Sequence, residues 1–151
     1  MLSNACKYAI RSILYLAIYA DKTNKMGAKK IADELKAPKP FLAKLLQQLN
    51  RNKLVSSTKG PNGGFFLDER NKNKSIWDVV KSIDGTKKFD QCFLGLSKCG
   101  DENPCPVHFI VSPFKKGILE DFRDKTIHQW ADEIKKSEKV LSLKNLDLPL
   151  K

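Results

Sequence analysis

A mainly α-helical fold with one small β-hairpin is what this sequence predicts, on three observations. Apolar residues recur at three- and four-residue steps through most of the chain, as on the buried faces of amphipathic helices. Only two short runs have strand character, and they flank a glycine-rich turn. The 151 residues are 41% hydrophobic and 30% charged, which fills one modest core and excludes disorder of the chain as a whole.

The elements follow in order. Ser3 to Ala20 reads as a helix, because Ala5, Ala9, Ile13, Leu16, Ala17 and Ala20 share one wide face. Asp21 to Lys25 is a polar linker. Ala28 to Leu35 is a second helix with Ile31, Ala32 and Leu35 on one face, and Pro38 stops it by disfavouring helix at the preceding residue. A third helix opens at Pro38 or Lys39, where prolines are tolerated in a first turn, and runs to about Asn52. Its core face is Phe41, Leu42, Leu45, Leu46 and Leu49. Leu54-Val55-Ser56-Ser57 and Phe65-Phe66-Leu67 are the strand-like runs.

Asn71 to Lys74 is a polar linker. Ser75 and Asp78 then approximate a capping box for a helix that ends at Gly85. Thr86 to Val107 is irregular, holds three of the four cysteines and cannot build a core, so something other than packing organises it. Ser112 to about Lys125 is a long helix whose stripe Phe114, Ile118, Leu119 and Phe122 finds no obvious cover within one chain. Thr126 and Gln129 cap a short helix with Ile127, Trp130 and Ile134, and Leu141 to Lys151 is a tail. The expected organisation is therefore a reader over residues 1–84, a cysteine-rich loop over 85–110, a long and a short helix over 111–140, and a tail over 141–151.

Charge separates these parts. Up to Val80 there are 15 Lys+Arg against 6 Asp+Glu, and beyond it 13 against 11, so the first half holds nearly all of the net +11. Such a basic domain is the electrostatic footprint of a polyanion partner. The longest uncharged apolar stretch, Ser12 to Ala20, is nine residues and half of what a membrane span needs. Lys7 and Arg11 interrupt any apolar export signal. No membrane partner is expected and a cytoplasmic location is, where cysteines serve as metal ligands or redox thiols more readily than as disulfides.

Two short helices joined by a tight turn make a helix-turn-helix, and the basic hairpin Lys59-Gly60-Pro61-Asn62-Gly63-Gly64 after them completes the order of a winged helix-turn-helix. The candidate DNA contacts are Lys29 on the second helix, Lys39, Pro40, Phe41, Lys44, Gln47 and Gln48 on the third, and Lys59, Pro61, Asn62, Gly63 and Gly64 in the hairpin. Amides and amines on the third helix can meet base edges and phosphates in a major groove.

Cys92, Cys99, Cys105 and His108 are spaced C-x6-C-x5-C-x2-H, within a segment containing Gly95, Gly100, Pro104 and Pro106. Three thiolates and one imidazole suit either a tetrahedral zinc ion or an iron–sulfur cluster. Zinc knuckles are usually tighter, so the wider gaps favour an object spanning two or more irons. Thiol redox chemistry is the third alternative. Cys6, in the first helix, reads as a small buried thiol.

Together these residues resemble the IscR-like bacterial transcription regulators, which sense iron–sulfur status or nitrosative stress. The resemblance runs from about Ser3 to Ile134. It is carried by Tyr8-Ala9-Ile10-Arg11, Leu54-Val55, Gly60-Pro61-Asn62-Gly63-Gly64, Trp77-Asp78-Val79-Val80 and above all the triple-cysteine loop. It implies a homodimeric winged-helix protein on a pseudo-palindromic double-stranded operator. In the members that use a histidine, it implies a [2Fe–2S] cluster held by the positions of Cys92, Cys99, Cys105 and His108. Other members take a ligand from the partner's first helix near Lys7, where this chain has no carboxylate. Some members lack the cysteines; this sequence keeps them. The position at which some members carry an operator-discriminating glutamate is Ala43, the adjacent glutamine is Lys44, and the wing arginine is Lys59. General DNA binding is expected from such a sequence, and a switch between two operator classes is not.

The leading expectation is thus a transcriptional regulator, repressor or activator, whose operator affinity follows the state of its cluster. Phe114, Ile118, Leu119 and Phe122 are expected at the homodimer interface. A zinc-stapled DNA-binding or adaptor protein is the first alternative. A small metal-dependent oxidoreductase is the second, but the chain has no glycine-rich cofactor fingerprint after a strand and no acid–base pair beside the ligands.

Overall fold

The computed structural model describes residues 1–137, so the expected tail, 141–151, lies outside the described residues. Its elements are α1 (Asn4–Tyr19), α2 (Ala28–Leu35), α3 (Lys39–Arg51), β1 (Ser56–Thr58), β2 (Gly64–Phe66), α4 (Glu69–Lys72), α5 (Ile76–Ile83), α6 (Lys87–Asp90), α7 (His108–Asp124) and α8 (Ile127–Lys136). No helix among them is long and apolar enough to cross a membrane.

Helix α1 is the central rod, packed against α2, α3, α5 and α8. Its periodic face brings Ile13 and Leu16, both fully buried, against Ile31 and Leu35 of α2, Leu42, Leu46 and Leu49 of α3, and Val79 and Val80 of α5. Ser3 caps it, its hydroxyl accepting the Cys6 N–H at 3.1 Å. The Ser3 N–H and hydroxyl in turn donate to the Asp84 carboxylate, which also takes Lys88 Nζ at 2.7 Å. This network joins the start of α1 to the end of α5 and to α6. Cys6 lies beside it, fully buried, and burial pushes its thiol up to about 12.

Helix α2 ends in a left-handed cap at Lys36, φ 52°, which reverses the chain into α3. The hairpin is antiparallel, with Ser56 opposite Phe66 and Thr58 opposite Gly64. Both strands begin and end differently from the runs read in the sequence. Leu54 and Val55 are buried ahead of β1 rather than paired in it. A third segment joins from before α2: Met26 and Phe65 exchange backbone hydrogen bonds at 3.0 and 2.7 Å.

Of the expected linker, Asn71 and Lys72 are instead the end of α4, held by a capping box between Asp68 and Asn71, and only Asn73 and Lys74 lie outside a helix. Asn71 is buried because its amide ties the hairpin base: Oδ1 accepts from Ser56 Oγ at 2.7 Å, and Nδ2 donates to the Lys53 carbonyl at 3.0 Å. The capping boxes of α5 (Ser75, Asp78) and α8 (Thr126, Gln129) form as read, and Gly85 takes φ +70° after α5.

Helix α8 folds back onto the residues of the expected reader. Ile127, fully buried, and Ala131 enter the core on α1, and the Ile127 N–H bonds to the Lys74 carbonyl at 2.8 Å.

Candidate metal centre and nucleic-acid face

The cysteine loop is suspended between α6 and α7. Phe89 of α6 is buried edge-on against Trp77 of α5, with ring centroids 5.1 Å apart. From there Gly95, φ +77°, turns the chain back so that its N–H reaches the Cys92 carbonyl at 2.9 Å. Gly100 and Asn103 exchange backbone bonds at 3.2 and 3.1 Å across a second turn. Cys105, buried, leads directly into α7, whose first residue is His108.

Helix α7 therefore opens four residues ahead of the expected Ser112. Pro113 lies inside it, near its start, where only the bond to the Phe109 carbonyl is forfeited. The earlier start puts His108 on a rigid element rather than in the loop.

This folding gathers the sulfurs of Cys92, Cys99 and Cys105 within 4.8 Å of one another. His108 Nδ1 stands 3.2 Å from Cys99 Sγ, and its Nε2 lies 2.9 Å from Asp101 Oδ1. All four cysteines are free thiols. The N–H groups of Leu96 and Leu94 point at the Cys92 sulfur and lower its pKa to about 7. Cys99 accepts the Cys105 N–H at 3.4 Å, which lowers its pKa, but desolvation and the neighbouring thiols outweigh this and leave it raised. The thiols border a cleft of about 330 Å³ whose α7 wall carries Lys115, Lys116 and Arg123. Three sulfurs and an imidazole in reach of one another, beside cationic side chains, are a donor set for a metal ion or an anionic metal–sulfur group.

On the basic face, Lys39, Pro40, Phe41, Lys44 and Gln47 of α3 are exposed, as is Lys29 of α2, and Lys39 pairs with Asp33 at 3.3 Å. Two readings change here. Phe41 is not core: it remains 38% exposed and meets Tyr8 edge-on at 5.7 Å. Gln48 turns inward, its amide donating to the Ser82 carbonyl at 3.2 Å, while Asn52 reaches the Ser82 hydroxyl at 2.7 Å. Both side chains fasten α3 to α5.

At the hairpin tip Lys59, Pro61 and Asn62 are exposed, whereas Gly63 and Gly64 face the protein's own backbone. A Cβ on Gly63 would stand 2.3 Å from the Thr58 carbonyl oxygen, and one on Gly64 would stand 2.8 to 2.9 Å from the Met26 backbone. These glycines are required by the shape of the hairpin.

The α7 stripe divides. Leu119 and Phe122 pack on the chain's own core, and Ile118 is half-buried. Phe114 is 61% exposed, joined by Phe109 at 67% and Ile110 at 76%, two residues that the periodicity reading left out. Ile110, Phe114 and Gly117 follow steps of four and three, so they share a line on the outer face. Asp101 was also missed, since a single acidic residue in a charged loop carries no signal by spacing.

A family model described as Rrf2, iron-dependent transcriptional regulator, matches residues 2–133. A putative HTH-type transcriptional regulator of Aquifex aeolicus is 35% identical over 127 residues, which is 83% of this chain and 87% of that protein. The HTH-type transcriptional regulator IscR of Klebsiella pneumoniae is 25% identical over 107 residues, 71% of this chain and 64% of its own. Among solved structures, CymR of B. subtilis, described as a global cysteine regulator, matches with a TM-score of 0.68 at 19% identity, over 88% of this chain and 97% of that one.

Proposed function

The chain belongs to the Rrf2 family of transcriptional regulators and is not an enzyme, and from that premise we propose that it is a homodimeric regulator whose operator affinity is set by a [2Fe–2S] cluster. The observation that carries this reading is the meeting of Cys92, Cys99, Cys105 and His108 around one cleft. Residues 1–84, with α8 docked back on α1, would read DNA. Residues 85–110 would hold the cluster, and the outer face of α7 would bind the second copy.

The donor set fits the group. Backbone N–H groups lower the Cys92 pKa and so favour its thiolate, the form that binds metal. A bound cluster would supply a reversible cross-link between loop and α7, sensitive to redox state and to ligand exchange.

The chain's own contacts suggest how the loop bears on the reader. Phe89 seats α6 against Trp77, and Lys88 holds Asp84, so the loop leaves from the end of α5. On the same helix Ser82 holds Gln48 of α3 and Asn52 at its end. Loop and recognition helix thus share one support. Ordering the loop changes affinity only if it favours one placement of α3 over another. A 10- to 100-fold change needs about 1.4–2.8 kcal/mol.

The test compares operator affinity of anaerobically reconstituted protein with that of a Cys92→Ala, Cys99→Ala, Cys105→Ala variant. A difference of roughly 10- to 100-fold is expected, and equal affinity for every operator tried would end the sensing reading. A second reading, a structural zinc ion, is favoured by the compactness of the thiol group, since sulfurs about 2.3 Å from one ion lie close together. Absorption of the purified protein separates the two: charge-transfer bands and a brown colour for a cluster, a colourless protein with stoichiometric zinc otherwise.

Dimerisation is expected through Phe109, Ile110 and Phe114 rather than through Leu119 and Phe122, which pack in part on the chain's own core. A two-fold pair would present its recognition helices about 34 Å apart. An Ile110→Asp, Phe114→Asp protein should sediment as a soluble monomer with the parent's helix content. A parent that is itself monomeric at micromolar concentration would refute the interface.

A further inference from the structure

We propose that Asp101 is a positioning residue that fixes the tautomer and the aim of the His108 ring within the thiol centre. The inference rests on the reading of His108 as a metal ligand and adds to it the residue that makes the ring a competent one.

An imidazole can donate a lone pair to a metal only from a nitrogen that carries no proton, so a ligand histidine must have its other nitrogen hold the hydrogen. In this structure the two nitrogens have different surroundings. Nδ1 stands 3.2 Å from Cys99 Sγ, on the thiol side. Nε2 stands 2.9 Å from Asp101 Oδ1, on the opposite side. An ionised carboxylate has no hydrogen to give, so the bond forms only when Nε2 carries the proton. In the neutral ring Nδ1 is then the nitrogen without a hydrogen, and it is the one that faces the sulfurs.

The placement is built by the loop. Asp101 sits in the turn closed by the Gly100 and Asn103 backbone bonds, and Asn103 Nδ2 ties that turn to the Lys98 carbonyl at 3.1 Å. His108 is itself the first residue of α7, and its ring lies edge-on to Phe109 at 5.3 Å. The ring is therefore gripped by two separate segments. The His108 side chain is 15% exposed, whereas that of Asp101 is 90% exposed. A contact so open to water adds little to folding stability, so its consequence lies in the ligand's aim and electron density. A carboxylate beside the far nitrogen makes the near one a stronger donor, and it favours the more oxidised state of whatever redox-active metal the ring holds.

The test uses the full chain, freed of metal and kept anaerobic, titrated with Co²⁺ alone. Its visible bands report sulfur and nitrogen ligation whether the resident group is zinc or a cluster. The parent is expected to show bands of a three-sulfur, one-nitrogen site. Asp101→Ala should bind Co²⁺ roughly 10- to 100-fold more weakly. Asp101→Glu should recover most of the loss, and the metal-free melting temperature should be unchanged in both. In reconstituted protein, Asp101→Ala should also move the reduction potential in the positive direction. His108→Ala should change the band positions themselves. An Asp101→Ala protein that matches the parent in Co²⁺ affinity and potential, while His108→Ala differs, would overturn the role of Asp101 alone. A His108→Ala protein with the parent's bands would show that the ring is not a ligand, and would overturn the proposal together with the reading beneath it.

Discussion

Gly64→Ala is expected to destabilise the protein by about 3 kcal/mol and to lower its melting temperature by roughly 6–12 °C. Two penalties coincide at this position. The backbone has φ +145°, a conformation that side-chain-bearing residues rarely adopt. The added Cβ would also meet the nitrogen, carbon and oxygen of Met26 at 2.8 to 2.9 Å, and these are backbone atoms that cannot rotate away. To make room, β2 must draw off from Met26, which breaks the 3.0 and 2.7 Å bonds joining Met26 and Phe65. The hairpin would then lose its attachment to the segment leading into α2. Gly60→Ala is the control: its φ is +102°, but nothing lies within 4 Å of the new methyl, so strain alone acts and the loss should be about 1–2 kcal/mol. The comparison is made by thermal melting of both variants beside the parent. A Gly64→Ala protein that melts with the parent would refute the close approach of Met26.

The largest effect on DNA binding is expected from Lys44→Glu with Lys59→Glu. Both lysines are exposed, one on the outer face of α3 and the other at the hairpin tip. Their replacement turns two cations into two anions per chain. Non-specific and specific affinity both draw on phosphate neutralisation, on the order of 6–10 contacts for a regulator of this kind. A loss of at least ~100-fold, about 2.7 kcal/mol, is expected near 0.1 M salt. The parent's affinity should fall steeply with salt, and the variant's should fall less, because fewer counterions are released. Fluorescence anisotropy across a salt series measures both quantities. Undiminished binding by the variant, or parent affinity indifferent to salt, would place the nucleic acid elsewhere. Neither substitution touches the core, so circular dichroism should match the parent.

What the sequence determined by itself was everything that depends on near neighbours. Ser75 with Asp78 and Thr126 with Gln129 mark helix starts because a capping box closes within three residues. Ala28–Leu35 is legible end to end for the same reason: its apolar period and the proline beyond it are local signals. The three cysteines were legible as a group because thiols near one another in sequence are easily brought together, and they do meet.

What only the tertiary structure decided was which surface covers which. Periodicity marks Phe41, Leu119 and Phe122 alike as apolar. It cannot show that Phe41 stays open beside Tyr8 while Leu119 and Phe122 find the chain's own core. Gln48 and Lys44 both read as polar positions of α3, yet only the arrival of α5 turns Gln48 to Ser82. The pairing of Met26 with Phe65 spans 39 positions and leaves no mark in either residue's neighbourhood. The same holds for Asp101, whose carboxylate acquires a meaning only once α7 starts at His108 and sets the imidazole against it. Local hydrogen-bond geometry is written in short stretches of chain, whereas burial and the second partner of a polar group depend on elements that fold back from far away.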